Sequence, residues 1–109
     1  MFGFSFGPQS VSVTEAYGRL GTEGHVLLDV RTRDEVRAEG ISGALHIPLD
    51  RLETEAARLK GYDSIHVICR SGGRSSLAAN LLQGMGMPQA MSVSGGILAW
   101  QKAGLPTRR

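Results

Sequence analysis

Residues 65–76, IHVICRSGGRSS, permit few folds. Ile65, Val67 and Ile68 are apolar and β-branched, and they predict a buried strand that His66 interrupts without ending. Cys69 stands where the strand stops. Gly72 and Gly73 are adjacent, which asks the backbone for a path no strand offers. Leu77, Ala78, Leu81 and Leu82 then recur at helical spacing, giving a helix over about residues 74–84. Cys69 therefore lies on a tight loop between a buried strand and a helix.

That position changes the chemistry of a thiol. Backbone N–H groups in a glycine-rich loop and at a helix start converge on an anion. A free thiol titrates near ~8.5, and such surroundings bring it to roughly 3.5–7.5. Cys69 is thus the candidate nucleophile, held as thiolate. Arg70 faces the entrance and attracts an anionic substrate, while Ser71 and Ser75 offer hydroxyls. Arg74 opposes the helix macrodipole. A bound anion or an inward salt bridge would remove that conflict.

The chain of 109 residues is long enough for one domain with one modest core. A net charge of +2, with no Lys/Arg tract and no aromatic platform, gives no sign of a nucleic-acid partner. One cysteine excludes an internal disulfide and fits a reducing compartment, so a cytoplasmic location is expected. It also excludes an internal resolving cysteine, so whatever Cys69 accepts leaves to an outside acceptor. His25, His46 and His66 have no metal-ligand spacing, and neither metal nor cofactor is expected. No run of ~18 apolar residues exists to span a membrane, and the first residues do not read as a secretory signal.

In order, Phe2, Phe4 and Phe6 alternate with small residues in an aromatic arm over residues 1–9. The arm either lies on the core or contacts a partner. The domain proper is expected over residues 10–107. Ser12 and Glu15 form a capping-box pattern opening a helix over about residues 13–20, and Thr32 and Glu35 repeat it for residues 33–38. Strands are expected over residues 10–13, 26–30, 44–47 and 89–93. Leu52, Ala56 and Leu59 predict one helix over about residues 51–60, and a last helix covers residues 97–103. Trp100 reads as core, His46 as structural, and the tail Thr107-Arg108-Arg109 as frayed. Alternating strands and helices imply an α/β fold with a parallel sheet covered on both faces.

Cys69-Arg70-Ser71-Gly72-Gly73-Arg74 resembles the active-site loop of the rhodanese family, the sulfurtransferases. Leu28-Asp29-Val30-Arg31, with Gly43-Ala44-Leu45-His46-Ile47-Pro48, is similar to the family's first signature. Ser94-Gly95-Gly96-Ile97-Leu98-Ala99-Trp100, running on to Gly104-Leu105-Pro106, is similar to its last. Glu39-Gly40-Ile41 departs from the usual Gly-His-Ile. The resemblance implies a three-layer α/β/α fold with five parallel strands in spatial order 3-2-4-5-1. Asp29–Arg31 and Cys69 would then end neighbouring strands at the switch point where such sheets bind ligands. Asp29 and Arg31 stay open between a structural role and a site role.

The implied activity is transfer of a sulfane sulfur from thiosulfate, or a similar small anionic donor, through a Cys69 persulfide to cyanide or a thiol. One alternative is a sulfur-carrier or docking module with a specific protein acceptor. Phosphatases and arsenate reductases of this fold have a loop one residue longer than the four residues between Cys69 and Arg74 here. The shorter ring suits one sulfur atom better than a tetrahedral oxyanion.

Overall fold

The computed structural model describes residues 10–109, so the expected aromatic arm lies outside the described residues. Strands β1 (Ser10–Val11), β2 (His25–Asp29), β3 (Leu45–His46), β4 (Ser64–Ile68) and β5 (Ala90–Val93) form one parallel sheet. Its order, β1-β5-β4-β2-β3, is the order the resemblance implies. β2 and β4 lie side by side with Asp29 opposite Ile68, so their C-terminal ends open together. The Val30 N–H extends that pairing to the Ile68 carbonyl, at 3.1 Å.

Both faces of the sheet are buried because successive side chains alternate between two cores. Val26, Leu28 and Val67 pack with Leu52, Leu59, Ala78 and Leu82, which belong to or flank helices α3 (Leu52–Glu55) and α4 (Gly73–Gly84). Leu27, Ile68 and Val93 pack with Ala16, Ile97 and Trp100 of α1 (Val13–Arg19) and α5 (Gly96–Lys102). α2 (Arg33–Ala38) buries none of its residues and stands at the open end of β2. Ser12 caps α1, and Thr32 with Glu35 closes a full capping box on α2.

Three expectations are corrected. The helix over residues 51–60 is instead a short α3 between two 3₁₀ turns, Leu49–Arg51 and Ala56–Leu59. Leu52, Ala56 and Leu59 are still buried, because apolar spacing fixes the inward face and leaves the tightness of the turn open. Leu77 is exposed, because α4 buries the narrower row Ser75, Ala78, Ala79 and Leu82. The tail is not frayed. Gly40 and Arg108 exchange two backbone hydrogen bonds of 2.8 Å, and Thr107 donates to Glu39.

Trp100 is fully buried and donates its indole N–H to the Pro106 carbonyl at 2.9 Å. Trp100→Ala removes both packing and anchor. We expect a loss of about 3–5 kcal/mol in denaturant unfolding.

His25 and His66 meet edge-to-face under the α1 side of the sheet, with ring centroids 4.5 Å apart. Ser64 Oγ lies 2.9 Å from His25 Nδ1 and 3.4 Å from His66 Nε2, while His25 Nε2 and His66 Nδ1 have no partner. Burial, reinforced by His66 and Arg19, lowers the His25 pKa from 6.5 to about 4. The unfolded chain therefore binds the proton first. Stability contributed by neutral His25 is complete above pH 6.5 and is lost as pH falls towards about 4. Between pH 7 and 5 the denaturation midpoint should fall, and His25→Asn should flatten that fall.

Candidate active site

The Cys69 loop is built by three devices. The first is a helix start without a side-chain cap. Gly72 occupies the N-cap of α4 at φ 117°, a left-handed conformation that favours glycine, and no hydroxyl or carboxylate occupies the first-turn N–H groups. The second is α5, whose first N–H groups hold the loop from behind. Ile97 donates to the Cys69 carbonyl at 2.9 Å and Leu98 to the Arg70 carbonyl at 3.1 Å. Gly96 lies so close to both carbonyls that an added Cβ would overlap them. With the carbonyls turned towards α5, the loop's N–H groups turn inward.

The third device is a row of hydroxyls. Cys69 Sγ accepts the Gly72 N–H at 3.0 Å and lies 3.4 Å from Ser75 Oγ. Ser75 Oγ is 2.7 Å from Ser92 Oγ on β5, and Ser76 donates to Ser92 at 3.4 Å. The thiol is only 1% exposed, and burial by itself raises its pKa. The Ser75 hydroxyl and the backbone N–H groups of Ser75, Gly72 and Ser71 outweigh burial, so the pKa lies below that of an ordinary thiol.

Arg70 is exposed at the loop, beside exposed Ser71 and Gly73. Arg74 turns to α2, where its two terminal nitrogens meet Glu35 Oε1 and Oε2 at 2.6 and 2.8 Å. That pair relieves the cation at the start of α4. Glu35 also closes the capping box of α2, and hydrogen bonding from Arg74 is the largest cause lowering its pKa to about 2. Asp29 and Arg31 are buried together as an ion pair of 2.7 Å. Arg31 reaches on to the Glu39 carbonyl at 2.9 Å, and His46 Nε2 lies 2.7 Å from the Arg31 carbonyl. The two signatures thus meet at one end of the sheet, where Asp29 lies opposite Ile68, the residue before Cys69.

The chain belongs to the rhodanese-like family. The rhodanese-like domain model matches residues 12–103. Thiosulfate sulfurtransferase 16, chloroplastic, of Arabidopsis thaliana is 38% identical over 93% of each chain. A putative sulfur carrier protein of Bacillus subtilis is 38% identical over 68% of this chain, which spans 40% of that protein's length. A human single-domain sulfurtransferase superposes with a TM-score of 0.73 at 29% identity, covering 88% of this chain and 97% of the other. Sulfurtransferases and a putative sulfur carrier are thus among the relatives of this chain.

Sequence reasoning missed Ser92, Glu35 as the partner of Arg74, and the part played by Gly96. A lone serine in the otherwise apolar strand Ala90–Val93 is a signal for the first. Glu35 was legible only as a cap. Among the described residues, no group of three metal-ligating side chains occurs.

Two substitutions should move Cys69 in opposite directions. Ser75→Ala removes a hydrogen bond to the thiolate and raises the thiol pKa. Glu35→Gln preserves the capping box but leaves the Arg74 charge uncompensated near the thiolate, lowering it. Iodoacetamide alkylation rates measured against pH report both shifts.

Proposed function

We propose that the protein is a sulfurtransferase that carries one sulfane sulfur on Cys69. The observation that carries this reading is the buried Cys69 Sγ, hydrogen-bonded by the Gly72 N–H in a loop whose Cys69 and Arg70 carbonyls are tied back to α5. Its thiolate attacks the outer sulfur of thiosulfate or a similar small anionic donor. The sulfur–sulfur bond of the donor breaks, its electron pair leaves with sulfite, and Cys69 becomes a persulfide. Arg70, exposed at the entrance, attracts the sulfonate end.

The terminal persulfide sulfur carries the negative charge among the loop's N–H groups. By analogy with oxyanion holes, each desolvated donor is worth about 3–4 kcal/mol. The thiolate needs no general base, and among the described residues no histidine is hydrogen-bonded to Cys69. Cyanide or a thiol then takes the sulfur, and the bond electrons return to Cys69. This is a double displacement, so kinetics should be ping-pong.

A second reading keeps the persulfide and delivers it to a specific protein, and the similarity to a putative sulfur carrier favours it. Both readings suit a reducing compartment, where a persulfide meets thiols, and we place the protein in the cytoplasm on that ground. No described helix is long and apolar enough to cross a membrane.

Intact mass after incubation with thiosulfate tests the reaction. The native chain should gain one sulfur atom, and cyanide should remove it. Cys69→Ser should gain none and lose essentially all turnover. Retention of the added sulfur by Cys69→Ser would overturn the reading.

A further inference from the structure

Ser92 is a hydroxyl in a strand whose other residues, Ala90, Met91 and Val93, are apolar. It is 3% exposed, and among the described residues its side chain meets Ser75 Oγ at 2.7 Å and Ser76 Oγ at 3.4 Å. Burying a hydroxyl costs free energy that an apolar residue would not incur. What the serine does to Ser75 accounts for its place.

A hydroxyl donates one proton and accepts two. Ser75 Oγ lies 2.7 Å from Ser92 Oγ, 3.2 Å from the Gly72 carbonyl and 3.4 Å from Cys69 Sγ. Ser76, exposed on α4, donates to Ser92, and the nearest acceptor for the Ser92 proton is Ser75 Oγ. With Ser92 donating, the Ser75 proton is left to the Gly72 carbonyl or to Sγ. The Gly72 carbonyl already accepts the Ser76 N–H at 3.0 Å, so it can release that proton. A Cys69 thiol donates to Ser75, and the Ser75 proton then rests on Gly72. A thiolate only accepts, and a hydrogen bond to a charged acceptor is the stronger. The proton then swings to Sγ.

We propose that Ser92 is a positioning residue for Cys69: by donating to Ser75 Oγ, it holds that hydroxyl against Sγ and frees its proton for the thiolate. The use of this device in catalysis rests on the sulfurtransferase reading. Sγ is charged before it attacks the donor, and again when the persulfide bond breaks and its electron pair returns to Cys69. The Ser75 proton meets the charge on both occasions, and a leaving thiol of lower pKa departs faster. The charged groups around Cys69 are Arg70 and Arg74 on its loop, Glu35 on α2, and Asp29 and Arg31 at and after the end of β2. β5 and the first turn of α5 carry none, and His66 of β4 packs on His25. Among the described residues none of these groups is hydrogen-bonded to Ser75 or Ser92, so substituting either serine leaves the charges in place.

Iodoacetamide alkylation of Cys69 against pH is measured for the native chain, Ser92→Ala, Ser75→Ala and the double variant. Ser92→Ala frees Ser75 Oγ to turn away, and it should raise the alkylation midpoint by about half a pH unit. In the Ser75→Ala background it should add nothing, because the route to Sγ is already cut. A loosened core would act alike in both backgrounds. No rise with Ser92→Ala, or the same rise in both backgrounds, overturns the proposal. Where an alanine variant fails to fold, Ser92→Thr against Ser92→Val decides, since the two share a shape and differ in the hydroxyl. The midpoint should be lower for Ser92→Thr, and equal midpoints overturn the proposal.

Alkylation needs no sulfur transfer. The expected rise in a chain that gains no sulfur from thiosulfate supports the positioning role and removes the sulfurtransferase reading. Sulfur gained on Cys69, with no response of the midpoint to Ser92→Ala, removes the positioning role alone.

Discussion

Two hydrogen bonds from the start of α5 to the Cys69 and Arg70 carbonyls set the geometry on which the site depends. A peptide unit has two polar ends, and fixing one end fixes the other. With the Cys69 and Arg70 carbonyls held by α5, the Arg70 and Ser71 N–H groups point away from it, and Ser71 joins Gly72 in facing Sγ. The same hydrogen bonds join the last helix to the end of β4, so the site is tied to the packing around Trp100. This is why Gly95 and Gly96 are needed in the last signature. Both adopt positive φ, and Gly96 leaves room for no side chain against the loop.

Beside this neutral cradle stand two ion pairs. Arg74 meets Glu35, and Asp29 meets Arg31. A buried ion pair is a weak source of stability, because desolvation offsets most of its attraction, but losing one partner leaves an uncompensated charge. The Asp29–Arg31 pair links the site to the chain end. Arg31 binds the Glu39 carbonyl, the Glu39 carboxylate accepts from Gln101 and Thr107, and Gly40 pairs with Arg108. The tail therefore closes a frame that runs from β2 through α5. The charge nearest Sγ is handled by neutral donors, whose orientation does not depend on flexible cationic side chains.

Much of this was legible in the sequence, for physical reasons. Ile65 and Val67 on one face and Ile68 on the other mark a strand buried on both sides despite His66, and adjacent glycines after Cys69 mark the change of direction. The capping-box patterns at Ser12 and Thr32 located two helix starts. What escaped were contacts between segments distant in sequence. Nothing local distinguishes Glu35 as a cap from Glu35 as the partner of Arg74, 39 residues on. Ser92 looks like a tolerated polar residue until β5 sets it against Ser75. Leu52, Ala56 and Leu59 are buried by a mixture of helical turns, since one apolar stripe fits either pitch. Thr107 and Arg108 carry no pattern of their own, and they are ordered by what Gly40 and Glu39 offer them.

The arrangement separates chemistry from recognition. A thiol with 1% exposure, ringed by backbone donors, discriminates poorly among larger molecules, because few of their atoms can reach it. It senses charge and the size of a single atom. Selection by shape and by the placement of charges is left to residues outside the loop, where a cleft of about 670 Å³ is lined by Val30, Arg33, Pro48, Asp50 and Arg74. The loop answers to backbone geometry and cannot change without losing the cradle. Arg33, Asp50 and Arg51 are exposed and bear on no core contact. Specificity can therefore diverge at the rim while the cradle around Cys69 stays the same.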